Sequence, residues 1–159
     1  KLVVAVDVGY GQLAWELRQD PRVKILDRTN IRHLTGEMVG EESDLVVADL
    51  SFISLSLVLP ALAAVSKPNA DFVLMVKPQF EVGREKLGAG GVVRDPALRR
   101  AAVLDVAESA YDVGLGTMGI AASPLPGPAG NVEYFLWLRR GAPAIDGAAV
   151  DQAIAMGPA

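Results

Sequence analysis

The sequence predicts an α/β fold in which a doubly wound, mostly parallel sheet ends in an antiparallel strand pair. Short apolar, β-branched runs alternate with helical stretches along much of the chain, which is the pattern of successive βαβ units. The last two strand-like runs have no helix between them, so we expect them to pair antiparallel. A length of 159 residues and a hydrophobic content of 51% fit one domain with its own core.

Four apolar runs are expected to form the parallel strands, and a charged residue directly follows each of them. The runs are Leu2–Val6, Val23–Leu26, Leu45–Ala48 and Phe72–Val76, and the residues that follow them are Asp7, Asp27, Asp49 and Lys77. Ligands of open α/β sheets bind at the carboxyl ends of the strands. We therefore expect these charged groups to lie along a ligand-binding edge.

Capping signals predict the helices. Ser54 is a candidate N-cap for a helix that reaches Val65. Asp95 is expected to cap a longer helix that has Pro96 at its first position and ends before Gly114. The other predicted elements are a short helix over Gln12–Arg18, a glycine-rich loop over Val82–Val92, the final strands Met118–Ala122 and Glu133–Leu138, and a tail helix over Gly147–Met156. Trp15 and Trp137 are assigned to the core, and His33 to the surface.

Composition excludes several classes of protein. The absence of cysteine rules out disulfides, thiolate metal sites and any cysteine nucleophile, and we predict no metal site. The apolar runs are too short to span a bilayer, and the first residues do not resemble a signal peptide. A net charge of −4 does not fit a strong nucleic-acid binder. The basic residues between Arg84 and Arg100 are the candidate contact patch, although a solvated surface explains them equally well.

Asp7 is the first candidate binding residue, because it ends an apolar strand and a Val8-Gly9-Tyr10-Gly11 turn follows it. An acid at this position can accept hydrogen bonds from both ribose hydroxyls of a nucleotide-like cofactor. Enzymes that use NAD and enzymes that use S-adenosylmethionine share this feature, and a turn aspartate would look the same. A dehydrogenase would also need a pair such as Tyr-x-x-x-Lys, whereas Tyr111 is followed by Leu115 four positions later.

Asp49, Lys77 and Glu133 are the candidate catalytic residues. Lys77 ends an apolar strand, where an unused charge would be costly to bury, and Pro78 keeps it extended. Enzymes that methylate amino nitrogens often have a double-proline turn at the Asp49 position. Leu50 and Ser51 follow Asp49 instead, which disfavours that kind of methyl transfer. Methylation of a pyrimidine carbon through a covalent adduct needs cysteine, so a hydroxyl acceptor remains. The position of Glu133 at the start of a strand, taken alone, indicates a surface acid.

Several motifs together resemble the TlyA family of FtsJ-like RNA 2′-O-methyltransferases, some of which carry the name haemolysin A. The matching stretches are Val6–Leu13, Arg28–Asn30, Ala48–Ser54, Val76–Glu81, Gly90–Val93, Ser123–Pro128 and Gly130–Trp137. The resemblance runs from Leu2 to about Leu138. It implies S-adenosylmethionine as cofactor, a Rossmann-like methyltransferase fold, and catalytic roles for Asp49, Lys77 and Glu133. It also implies cofactor contacts from a set that consists of Asp7, Val8, Asn30, Asp49 and Leu50.

The resemblance further implies methyl transfer to a ribose 2′-OH of ribosomal RNA, with cytidine as the target, the ribosomal subunit as partner and the cytoplasm as location. In the family a first lysine, a first strand, a glycine loop and an S4-type RNA-binding domain precede the region matched here. We therefore expect residues 1–159 to be an N-terminally truncated methyltransferase domain. Two other readings stay open, namely an inactive fragment that binds cofactor or RNA and a membrane-active haemolysin.

Overall fold

A computed structural model describes residues 1–158, which form two sheets flanked by helices. The first sheet pairs β1 (Val3–Val6) with β2 (Val23–Leu26) in parallel. The second sheet has the strand order β3-β4-β6-β5. Its strands are β3 (Ser43–Ala48), β4 (Ser66–Val76), β5 (Leu115–Ala122) and β6 (Tyr134–Arg140). The α/β class, the parallel β3–β4 pair and the antiparallel final strands confirm the predicted fold.

Some helices follow the predicted signals, others are shorter than predicted, and two were not predicted. They are α1 (Trp15–Arg18), α2 (Gly36–Val39), α3 (Leu59–Ala64), α4 (Pro78–Glu81), α5 (Pro96–Asp112) and α6 (Gly147–Met156). The Asp95 side chain caps α5 by accepting from the amide of Ala97 at 2.8 Å. Ser54 caps as predicted, but the turn that it caps is a 3-10 turn over Leu55–Leu57, and α3 begins only at Leu59. The glycine-rich segment contains two 3-10 turns, Arg84–Lys86 and Ala89–Gly91.

The main core lies on one face of the four-stranded sheet. Fully buried side chains of β4 and β6 pack there against α5 and α6. They include Phe72, Leu74, Leu136 and Leu138 from the strands and Val103, Val106 and Val150 from the helices. A smaller cluster around Leu34 attaches the β1–β2 sheet through Val4, Val6 and Leu26.

The opposite face of the sheet is largely uncovered. Leu45 and Val47 of β3 are exposed although they lie in the middle of a strand. Trp137 of β6 is also partly exposed and donates from Nε1 to Asp71 Oδ1 at 2.7 Å, so its predicted place in the core is wrong. The same prediction fails for Trp15, which lies exposed on the short helix α1. Sequence hydrophobicity could not reveal which face lacks a covering layer.

Within residues 1–158, β1 and β3 share no ladder, and the two sheets remain separate. Strand β1 pairs only with β2, and strand β3 pairs only with β4. The strand that ends at Asp7 is therefore not paired with the strand that ends at Asp49. The outer edges of both strands keep their backbone groups open for pairing.

Candidate functional site

The parallel pairing of β3 and β4 brings the predicted residues Asp49 and Lys77 together. Lys77 Nζ lies 2.6 Å from Asp49 Oδ1 and 3.3 Å from the hydroxyl of Ser51. The Lys77 side chain is only 12% exposed, whereas the Asp49 side chain is 67% exposed. The lysine side chain is therefore mostly buried, and its carboxylate partner faces solvent.

The antiparallel register of β4 and β6 places Glu133 opposite Lys77, although no ion pair joins the two side chains within residues 1–158. The last paired residues are Val76 and Tyr134, so one further step in register places Lys77 opposite Glu133. Residues opposite each other on antiparallel strands project to the same side of the sheet. Glu133 is buried, and its Oε1 accepts a hydrogen bond from Gln79 Nε2 at 3.1 Å.

The segment from Lys77 to Glu81 contacts three different parts of the fold through alternate side chains. Lys77 contacts the loop after β3, and Gln79 contacts Glu133. Glu81 accepts from the Ser54 hydroxyl at 2.5 Å and from the Leu55 amide at 2.9 Å, which holds the turn after β3 against α4. Burial raises the pKa of Glu81, and the bonds from Ser54 and Leu55 oppose that effect. Sequence reasoning missed Gln79 and Glu81. Polar residues at alternate positions directly after a buried strand could have indicated that they belong to the site.

A cleft of about 660 Å³ lies between the loop after β3 and the glycine-rich segment. Phe52 is 91% exposed at its rim, with a positive φ of 64° and its ring centroid 5.1 Å from that of Phe80. A left-handed backbone is rare for a bulky residue and marks a position held by its surroundings. Arg32 and Arg84 also line the cleft, which places positive charge beside the aromatic ring.

The predicted basic patch is only partly available to a ligand. Arg100 pairs with Asp151 at 2.5 Å, and Arg94 and Arg99 donate to backbone carbonyls of their own segment. Arg84 and Lys86 are exposed on the turn beside the cleft. These two residues, together with Arg32, are the cations best placed to contact the phosphate groups of a ligand.

The predicted cofactor residues form two groups at strand ends. Asp7 Oδ1 accepts from the amide of Gly9 at 2.6 Å, and Val8 beside it is exposed. Asn30 accepts from the amide of Arg32 at 3.1 Å and so caps a short 3-10 turn at the cleft. Asp49 and Leu50 form the second group after β3, where Leu50 packs on the main core.

Residues 1–158 contain neither a candidate metal site nor a candidate membrane-spanning helix. No group of three or more His, Cys, Asp or Glu side chains in this range could hold a metal ion. None of the helices described above has the length and apolar character needed to cross a membrane.

The mixed sheet, the charged strand ends and the adjacent cleft define an α/β domain of the methyltransferase type. The chain belongs to the FtsJ-like methyltransferase family, whose profile matches residues 1–140. It is 64% identical over 137 residues to the 16S/23S rRNA (cytidine-2′-O)-methyltransferase TlyA of Mycobacterium tuberculosis, a match that covers 86% of this chain and 51% of that protein. The resemblance to the TlyA family inferred from the motifs is confirmed.

Proteins named as haemolysins are similar as well. Hemolysin A of Brachyspira hyodysenteriae is 34% identical over 135 residues, which cover 84% of this chain and 56% of that protein. A Streptococcus thermophilus protein whose structure carries the name hemolysin superposes with a TM-score of 0.91 at 38% identity, covering 98% of this chain and 57% of that one. The chain spans about half the length of the curated relatives that it matches.

Proposed function

We propose that the whole protein transfers the methyl group of S-adenosylmethionine to a ribose 2′-OH of ribosomal RNA, with cytidine as the target nucleotide. The observation that carries this proposal is the pairing of a mostly buried Lys77 with Asp49 at 2.6 Å, beside a cleft lined by arginines and an exposed aromatic ring. The named activity of the M. tuberculosis relative supports the choice of RNA, ribose and base. We place the reaction in the cytoplasm, where ribosomal subunits are the expected partners.

The strand-end residues suit a cofactor that contains a ribose. Asp7 is exposed at the end of β1, and the Gly9 amide already orients one of its carboxylate oxygens. A carboxylate in this position can accept from ribose hydroxyls, and it fits S-adenosylmethionine in that respect. When bound, the cofactor supplies an activated methyl group. We assign Asp7, Val8, Asn30, Asp49 and Leu50 to its binding.

Lys77 is assigned to the acceptor hydroxyl. In its neutral form Nζ can orient the 2′-OH and take its proton, because general-base action requires a free lone pair. The ammonium that results would lie 2.6 Å from Asp49, which holds the new charge in place. Glu133, opposite Lys77 in the strand register, would limit the positions open to the lysine. Proton acceptance and alignment are the two tasks that a methyl transfer to oxygen leaves to the protein.

The cleft supplies features suited to an unpaired nucleotide. Sequence-specific RNA recognition uses bases that are turned out of the helix and stacked on aromatic side chains. The exposed ring of Phe52 provides such a surface, one residue after Ser51, whose hydroxyl accepts from Lys77. Arg32 and Arg84 can neutralise the flanking phosphates.

Lys77→Ala in the whole protein tests the proposal. We expect kcat for methyl incorporation into ribosomal RNA to fall by about 10²- to 10⁴-fold, the usual contribution of a positioned acid or base. Calorimetric affinity for S-adenosylmethionine should change little, whereas Asp7→Ala should weaken it first. Lys67 is a matched control, because it pairs with Asp44 at 2.7 Å near the opposite ends of the same two strands. Wild-type turnover in Lys77→Ala would refute the role given to this lysine.

We also propose that residues 1–159 are the larger part of the methyltransferase domain and that the whole protein supplies a further strand between β1 and β3. The separate sheets and their open edges support the proposal. The exposed apolar face, which includes Leu45 and Val47, supports an added covering layer. If that strand is required, residues 1–159 alone would bind cofactor weakly and lack turnover.

A further inference from the structure

Gln79 is bound to Glu133 in an orientation that leaves its own oxygen without a partner. Its Nε2 donates to Glu133 Oε1 at 3.1 Å, while its buried Oε1 accepts no hydrogen bond from residues 1–158. A buried amide oxygen without a partner is unfavourable. Turning the amide would place two oxygens face to face and remove the donor from the carboxylate. The bond to Glu133 therefore determines how the Gln79 side chain lies.

The loop before Glu133 also approaches this carboxylate closely, at Gly127. A Cβ atom added at Gly127 would lie 2.8 Å from Glu133 Oε1 and 3.3 Å from its Cδ. The loop is closed by a hydrogen bond from the Gly127 amide to the Asn131 carbonyl at 2.8 Å. A side chain at this position would displace the carboxylate. Glu133 is thus confined by a donor on one side and by a close-packed backbone on another.

We propose that Gln79 is a positioning residue that fixes the carboxylate of Glu133, with Gly127 closing the other side. This inference rests on the proposed function of Glu133 in ribose methylation. An ionised carboxylate has only acceptor atoms, and it could pair with Lys77 in several ways. A donor on Oε1 removes that freedom and so fixes the direction of the second carboxylate oxygen. Gln79 acts through Glu133 and does not touch the reacting atoms.

The first experiment is a kinetic double-mutant cycle in the whole protein with Gln79→Met, which keeps the length of the side chain and removes the donor. We expect kcat to fall about 10- to 100-fold, the range for losing a hydrogen bond to a charged group, with little change in KM for RNA. In a Glu133→Leu background, which offers no acceptor to Gln79, Gln79→Met should cause almost no further loss. Gln152→Met on the exposed side of α6 is the matched control and should keep wild-type kcat.

An equal loss of kcat from Gln79→Met in both backgrounds would overturn the proposal, because it would show that Gln79 acts without Glu133. So would a Gln79→Met variant with wild-type kcat. Wild-type protein that does not methylate ribosomal RNA would overturn the proposed function instead. In that case the pairing of Gln79 with Glu133 is still tested by the measurement below.

The second experiment measures the coupling between Gln79 and Glu133 in the free energy of unfolding, from urea titrations of the same four proteins. The coupling should be present at neutral pH, because each single substitution removes the same hydrogen bond. Lack of coupling at neutral pH would contradict the bond itself.

Discussion

Val47→Asp tests whether the exposed sheet face is covered in the whole protein. Val47 lies in the middle of β3 and is 71% exposed within residues 1–158. Full burial of a valine side chain contributes about 1.5–3 kcal/mol, so covering the exposed fraction would add about 1–2 kcal/mol. An aspartate in its place would lose that contribution and would also bury an unpaired charge, which costs more. We expect the substitution to lower the free energy of unfolding of the whole protein by more than about 3 kcal/mol.

The assay is urea unfolding of the whole protein followed by far-UV circular dichroism, with two controls that bracket the result. Val46→Asp alters the neighbouring residue, which faces the main core, and should be as damaging or worse. Met156→Asp alters a side chain of similar exposure, 72%, at the end of α6 and should cost less than about 1 kcal/mol. If Val47→Asp behaves like Met156→Asp, the face is open to solvent and the proposed covering layer is wrong.

Two further predictions concern the segments that support the site. Burial raises the pKa of Glu81 above 4.5, so the folded state binds its proton more tightly than the unfolded state does. The free energy of unfolding should therefore fall as pH rises from the ordinary carboxylate pKa through the raised one, and Glu81→Gln should gain stability relative to wild type over that rise. A pH-independent difference in urea titrations would contradict this. Gly116→Ala should prevent stable folding, because its Cβ would lie 1.8 Å from the Ala142 carbonyl oxygen, whereas Gly119→Ala on the same strand meets only an ordinary contact at 3.8 Å. Thermal unfolding of the two variants gives the comparison, and equal midpoints would refute the assigned close approach.

Local patterns in the sequence determined most of the elements and the chemistry at their ends. Apolar runs predicted β2 with its observed bounds, and the acids and the lysine that follow the strands were read directly from the sequence. The Asp95 cap and the tail helix were predicted for the same reason. Each depends on neighbours within a few positions, where side-chain periodicity and hydrogen bonds to the backbone decide the conformation.

Tertiary structure alone decided which strand ends meet and what each side chain bonds. Nothing near Glu133 in the sequence indicates Gln79, which lies 54 positions away and reaches it only through the register of β4 and β6. The same holds for Trp137, whose exposure follows from a sheet with one uncovered face, although its residue type suggested the core. Strand partners and the layers that cover a sheet are set by packing between distant segments. A single sequence therefore predicts the parts of this site, and the fold determines how they are joined.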